Sequence, residues 1–293
     1  MDRYDIVFIG QMGIARIVPF QGSPFVDKSG PVLFAATAAS YLEKRIAAVT
    51  TVSESEEYLL EPLRAAGVDL FVKPGETTEM RIVFPTPNVD ERQVFLIRGG
   101  GHIDEIPPFQ PCLVHLCWIL APEFQLDLMR SLKPRGFRLS VDMQGFALQV
   151  DRETGAIHLK DVPEKKEILT MADFVKLDVA EAQTLTGADI LQDQVEILQD
   201  WGSAEIIITS SEGVLVRSKG KTTFAKFTNR SSQGRMGRGD TVMGSYLAYR
   251  LDHSVEDSLR FAAALTSIKM ESTGPFTGSI QDVIERMDER ILG

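Results

Sequence analysis

Gly234-Arg235-Met236-Gly237-Arg238-Gly239-Asp240-Thr241 runs directly into the apolar stretch Val242 to Leu251, which has the character of a helix. Glycines at 237 and 239 let the backbone turn tightly with its N–H groups facing one way. The helix behind them adds unpaired N–H groups and the positive end of its dipole. Such a corner binds an anion, usually a phosphate. Upstream, Thr222–Phe227 reads as a strand. The corner thus lies at a strand-to-helix transition, the kind of place where open α/β sheets bind ligands. A carboxylate such as Asp240 gains nothing electrostatically beside a phosphate. A base that takes a proton from an attacking hydroxyl is one reason to keep it there. The competing reading makes Asp240 the N-cap of a helix over 241–251 and the glycines an ordinary turn.

Working outward, Tyr4–Gly10 reads as a buried first strand, Val32–Leu42 as an alanine-rich helix and Arg45–Val52 as a second strand. Glu54–Ala66 has helical spacing and is followed by strand-like Val68–Val72. Thr78–Phe84 and Gln93–Arg98, joined by Pro85-Thr86-Pro87-Asn88-Val89-Asp90, mix charged and apolar residues as a sheet with one wet face does. Short apolar strands then recur at Leu113–Leu116, Arg138–Val141, Phe174–Leu177 and Ile206–Thr209. Helical stretches fit between them at Glu123–Leu132, Lys165–Ala172, Ala180–Leu185 and Gln192–Trp201. Gly213–Arg217 and Thr222–Phe227 form a hairpin, and two helices close the chain near 241–251 and 255–271. This βα alternation predicts an α/β fold with a doubly wound, mostly parallel sheet covered by helices on both faces. The 78–98 hairpin leaves that sheet as an insertion.

Composition narrows the function. The 293 residues are 44% hydrophobic and 25% charged, as in an ordinary soluble domain. A net charge of −10 argues against general affinity for nucleic acid or anionic membrane. Against that background Arg230, Arg235 and Arg238 cluster around the glycine corner, which suits a multiply charged ligand or a solvated basic turn. Cys112 and Cys117, five residues apart in one strand-like run, point to opposite faces and read as buried thiols of a reducing, cytoplasmic protein. No stretch reaches membrane-spanning length.

Several motifs fail. Gly10-Gln11-Met12-Gly13 lacks the spacing and the following helix of a dinucleotide site. Gly220-Lys221-Thr222 sits inside a hairpin, with Leu215 where a P-loop needs its first glycine. Histidines 102, 115, 158 and 253 have no ligand spacing, and His115 reads as a satisfied core histidine.

Four elements in order resemble the ribokinase-like (PfkB) carbohydrate kinases over nearly the whole chain. Gly237-Arg238-Gly239-Asp240 matches the end of that family's D-T-x-G-A-G-D motif, and Asp178-Val179-Ala180-Glu181 its N-x-x-E motif. Thr209-Ser210-Ser211-Glu212-Gly213 approximates its nucleotide loop. Phe261–Met270 leading to Gly274-Pro275 looks like its adenine-side wall. The G-R-x-G-R-G-D form, with Ser140-Val141-Asp142-Met143-Gln144-Gly145-Phe146 upstream, is similar to an inositol-kinase-like branch.

The resemblance implies one kinase domain over 1–293 with lid segments at about 11–30 and 73–99. It would phosphorylate a hydroxyl of a small sugar or polyol, with ATP and Mg²⁺; a nucleoside or vitamin alcohol is the alternative acceptor. A nucleotide-binding regulator without catalysis is the rival from another class. Asp240 would be the base and also touch the acceptor, with Gly237, Arg238 and Gly239 as the anion hole. Asp178, Thr209, Gly213, Ser267 and Gly274 would line the nucleotide. Glu181 and Asp178 would hold the metal largely through water, or simply form an acidic pair at a helix N-terminus. Thr209 and Gly213 read equally as a plain strand-to-hairpin turn. A need for a monovalent cation is left open, as is the choice between a monomer and a homodimer paired through the lid.

Three departures matter. Arg238 and Arg235 replace the family's alanine and threonine, and a guanidinium at 238 either grips phosphate or points away. The N-terminal GG-x-x-x-N signature is reduced to Ser29-Gly30-Pro31-Val32-Leu33-Phe34, and Ala15 stands where the family has an aspartate on its sugar. That leaves Gly30 and Asp142 as substrate-side candidates.

Overall fold

Ile6-Val7-Phe8-Ile9 is apolar at every position, which suits a strand covered on both faces. In the computed structural model, which describes residues 2–88, 91–120 and 125–289, Ile6 and Phe8 enter one core and Val7 and Ile9 another. The chain opens with β1 (Ile6–Gly10), β2 (Gly13–Val18), β3 (Phe25–Ser29), α1 (Pro31–Ser40) and β4 (Ile46–Val52). A 3₁₀ segment, Glu54–Leu60, and α2 (Glu61–Ala65) lead to β5 (Asp69–Pro74), β6 (Thr78–Val83) and β7 (Gln93–Arg98). Next come β8 (Leu113–Cys117), α3 (Gln125–Leu132), β9 (Arg138–Asp142), α4 (Gln144–Ala147), β10 (Leu148–Val150) and β11 (Ile157–Leu159). The following units are α5 (Lys165–Met171), β12 (Phe174–Asp178), α6 (Val179–Thr186) and α7 (Leu191–Asp200). The last are β13 (Glu205–Thr209), β14 (Gly213–Ser218), β15 (Lys221–Lys226), α8 (Arg238–Arg250), α9 (Val255–Met270) and α10 (Ile280–Glu289).

Among the described residues, nine strands form the main sheet in the order β15-β14-β13-β12-β9-β8-β1-β4-β5. It is parallel from β13 to β5, and only the β13–β14–β15 edge is antiparallel. Helices cover both faces, giving the expected doubly wound α/β fold. After β1 the chain builds outward on one side through β4 and β5, then returns to build the other through β8, β9, β12 and β13. That reversal opens a crevice beyond the carboxyl ends of the strands.

The insertion is larger than a hairpin. β2 pairs parallel with β6, and with β3 and β7 on the outside a four-stranded sheet forms, β3-β2-β6-β7. The two-strand ribbon β10–β11 lies beside it through a bridge between Phe95 and Ala156.

Other expectations need correcting. Glu54–Leu60 winds as a 3₁₀ segment rather than an α-helix. A third closing helix, α10, follows the expected two. Glu123 and Phe124 of the expected third helix, and Val89 and Asp90 of the expected 85–90 loop, lie outside the described residues. Cys112 and Cys117 are both free and pack into opposite cores, as their spacing implies. His115 is buried with Nδ1 2.9 Å from Ser140 Oγ, but Nε2 has no partner, so it is only half satisfied. Burial, with the Lys176 ammonium nearby, pushes its pKa down to about 3 and keeps the ring neutral. No described helix is long and apolar enough to cross a membrane.

Candidate active site

The carboxyl ends of β12 and β13, Gln144 just beyond β9 and the start of α8 converge on one cavity of about 1260 Å³. The small sheet and the β10–β11 ribbon form its opposite wall, with Met80, Ile82, Val94, Leu148 and Leu159 facing in.

α8 begins at Arg238, three residues earlier than the expected start at 241. Gly237 is its N-cap, in the left-handed region at φ 76°, and a Cβ there would stand 2.2 Å from Phe34 Cγ. Glycine is required at 237 on both counts. Asp240 therefore occupies the first turn, and the reading of Asp240 as an N-cap is set aside. The Arg238 N–H is used on Arg235 O, and that of Thr241 on Gly237 O. The Gly239 N–H, in the unpaired first turn, has no helical acceptor. Gly239 has its own constraint, since a Cβ there would lie 2.8 Å from Lys176 Cε. Gly237, Arg238, Gly239 and Asp240 all line the cavity.

Lys176 is a lysine buried in an apolar strand, with its Nζ 3.0 Å from Asp142 Oδ2. Burial pulls its pKa down, but Asp142, Glu181, Asp240 and Asp178 together outweigh that and hold it above the ordinary lysine value. Asp142 is raised, because burial and the Asp178 carboxylate exceed the help from Lys176. Burial also raises Asp240, against Lys176 and Lys269, to about 6. Its carboxylate is thus charged at neutral pH yet poised to accept a proton.

Asp178 and Glu181 form a capping box at the start of α6. The Glu181 N–H donates to Asp178 Oδ1 at 2.8 Å, and the Asp178 N–H donates to Glu181 Oε2 at 2.7 Å. Both residues also line the cavity, so the structural and the metal-holding readings coexist on one pair. Burial lifts the Glu181 carboxyl to about 8. Among the described residues no group of three or more His, Cys, Asp or Glu side chains could enclose a metal ion. Asp178 and Glu181 suit magnesium nonetheless, because that ion keeps several waters and shares substrate phosphates, and its charge would favour loss of the proton that burial holds on Glu181.

The remaining expected residues divide. Thr209, Gly274 and Gly30 line the cavity. Gly213 does not: it is locked in β14, where a Cβ would strike Ala225 O at 2.3 Å. Ser267 is also off the cavity wall: it is buried, donates to Ala263 O and accepts from the Thr228 N–H. Asp142 is 1% exposed and reaches the cavity only through Lys176.

Residues that sequence reasoning missed are Lys176, Lys269 and Asp27, all on the cavity wall. A lysine inside Phe174-Val175-Lys176-Leu177 was the available signal for the first. Asp27 lies directly opposite Ala15 in the β2–β3 register, so the neighbouring strand supplies a carboxylate to the region where Ala15 lacks one.

Glycines at a helix N-terminus, a carboxylate with a raised pKa and buried lysines meet at the switch point of a parallel α/β sheet, the arrangement expected of a ribokinase-like phosphotransferase. The pfkB family carbohydrate kinase model matches residues 149–282. A solved pyrophosphate-dependent kinase in the ribokinase family, complexed with a pyrophosphate analogue and myo-inositol, is 28% identical. The match covers 96% of this chain and 99% of that one, with a TM-score of 0.85. A sulfate complex of a pyrophosphate-dependent kinase in the ribokinase family is 29% identical over 95% and 99% of the two chains, with a TM-score of 0.86. Cytidine kinase of Thermococcus kodakarensis is 26% identical over 267 residues, 87% of this chain and 92% of that protein. The chain carries a pfkB family carbohydrate kinase domain, is a kinase-type enzyme, and is similar over nearly its whole length to the pyrophosphate-dependent kinases of the ribokinase family.

Proposed function

We propose that this kinase phosphorylates a hydroxyl of a small polyol of the inositol type, with Asp240 as the base and Gly237 to Gly239 as the anion hole. The observation that carries the reading is Asp240 itself, a carboxylate held near neutrality in the first turn of the helix whose N-terminus forms the anion corner. The acceptor O–H proton passes to Asp240 as the oxygen forms a bond to the terminal phosphorus. The anhydride P–O bond breaks, and the leaving phosphate departs with the electron pair. Phosphoryl transfer needs positioning and charge neutralisation more than covalent chemistry. Lys176 and the first-turn N–H groups supply that here. Asp178 and Glu181 would hold Mg²⁺ through water; bound there, it would neutralise charge on the donor's phosphates. The small sheet, with segments 11–30 and 73–99, would act as the lid.

ATP is the donor the family resemblance implies. Two observations favour pyrophosphate instead. Arg235, Arg238 and Lys176 all line the cavity, positive charge suited to a bare phosphate chain. Gly213 and Ser267, expected against a nucleotide, do not reach it. The solved relatives named above as pyrophosphate-dependent support this choice. A second acceptor reading, a nucleoside, rests on the apolar wall of Met80, Ile82, Val94, Leu148 and Leu159 and on the cytidine kinase relative.

The test is acceptor-dependent phosphate or ADP release with each donor, across inositols, hexoses, pentoses and nucleosides, wild type beside Asp240→Asn. Turnover of an inositol with pyrophosphate, lost in Asp240→Asn, is expected. Absence of acceptor-dependent turnover with either donor would refute the proposal.

A further inference from the structure

Lys269, in the last turn of α9, is 1% exposed. Its ammonium donates to the carbonyl oxygens of Gly234 and Met236, both in the loop that leads into the anion corner. It also lies 4.6 Å from the centroid of the Phe34 ring, the ring against which Gly237 is packed. The loop rests directly on the end of α9: the Gly234 N–H donates to Met270 O at 2.8 Å. A Cβ at 234 would fall 1.7 Å from Ser272 O. Two carbonyls turned toward one buried point need a cation or a donor there.

We propose that the Lys269 ammonium acts as a tethered monovalent cation, gathering the Gly234 and Met236 carbonyls so that the corner from Gly237 to Asp240 keeps its phosphate-binding shape without a free ion. The proposal rests on the phosphotransferase reading for its purpose, but not for its test. A free potassium-like ion is held by carbonyl oxygens that replace its hydration shell. Here the two carbonyls that turn to the buried point are already taken, and an ammonium between them repels a second cation. A free ion therefore does not fit this position. The C-terminal end of α9 adds a favourable dipole for the lysine. Burial lowers the Lys269 pKa to about 8, with Asp240 and Asp27 opposing the fall, so the charge is present at neutral pH.

The test compares wild type with Lys269→Met, because methionine matches the lysine stem as far as Cε and lacks the ammonium. Pyrophosphate and ATP binding are followed by calorimetry, and the thermal midpoint by scanning, in potassium, ammonium or tetramethylammonium chloride at equal ionic strength. Wild type is expected to bind and melt alike in all three salts. Lys269→Met is expected to bind the tighter donor roughly 10–100-fold more weakly, the worth of a charged hydrogen-bonded group. Potassium or ammonium should restore part of that loss, and tetramethylammonium none. Wild type that gains affinity or thermal stability from potassium would overturn the proposal. So would a variant that binds like wild type, or weakened binding that no small cation restores. If Lys269→Met does not fold, the salt comparison on wild type decides alone. Acceptor-dependent turnover is scored separately, so failure of the kinase reading leaves the binding and melting results intact.

Discussion

Replacing Asp240 by asparagine should separate stability from catalysis. The folded protein holds this carboxyl at about 6 against an ordinary 3.8, chiefly by burial. Between those two values the folded state binds more protons than the unfolded one. Stability therefore falls as pH rises through that window and stays lower above it. Raising a carboxyl that far costs the folded state roughly 3 kcal/mol at neutral pH; partial access to the cavity water reduces this to about 1–3 kcal/mol. Asparagine keeps the shape and removes the charge, so Asp240→Asn should melt roughly 2–6 °C higher than wild type at neutral pH. That advantage should vanish at a pH below the ordinary carboxyl value, where both proteins are neutral at this position. Turnover should move the other way, falling by about 10²–10⁴-fold as the base is lost. Differential scanning calorimetry at two pH values and steady-state kinetics read the two effects independently. A variant that melts lower than wild type at neutral pH would refute the electrostatic argument. One that keeps turnover within about tenfold would refute the assignment of the base.

Three further outcomes follow from the same geometry. The kcat profile should rise with pH through about 6 as Asp240 loses its proton, and Lys176→Met should shift that limb upward, since Lys176 opposes the raised pKa set by burial and Asp142; an unshifted limb in stopped-time assays would count against Asp240 as the titrating group. Gly237→Ala should cost about 2–4 kcal/mol in urea denaturation, because it combines φ 76° with a Cβ 2.2 Å from Phe34 Cγ, and adding Phe34→Leu should recover part of the loss. Lys176→Met alone should cost about 3 kcal/mol by leaving Asp142 buried without its partner, whereas Lys176→Met with Asp142→Leu should regain most of the stability and no turnover.

The proposed donor end of this site was legible in the sequence because anion binding depends on local backbone. Gly237, Gly239 and the apolar run behind them sit within a few residues of one another, and glycine conformations and helix termini follow short-range rules. Even there the helix start was misplaced by three residues, since only the left-handed Gly237 reveals that the first turn includes Asp240. The parallel core was legible for a related reason: strands buried on both faces leave unbroken apolar runs. The acceptor end depends on register between distant segments, which leaves no such trace. β2 pairs with β6 across more than sixty intervening positions, so nothing near Ala15 announces that Met80 shares its sheet, whereas Asp27, opposite Ala15 in the adjacent strand β3, is only twelve residues away. β10 and β11 are three residues each and show no periodicity, although Gly155, at φ 73° in the turn between them, was a usable sign. Helix rotation explains why Ser267 lies off the cavity wall. Two residues turn a helix by about 200°, which sends Ser267 into the core and Lys269 to the cavity. A lysine in the last turn of a helix looks the same in sequence whether it meets solvent or two buried carbonyls. The part of the chain proposed here to set acceptor choice is thus the part whose sequence says least, and the acceptor panel carries more information about it than any further motif could.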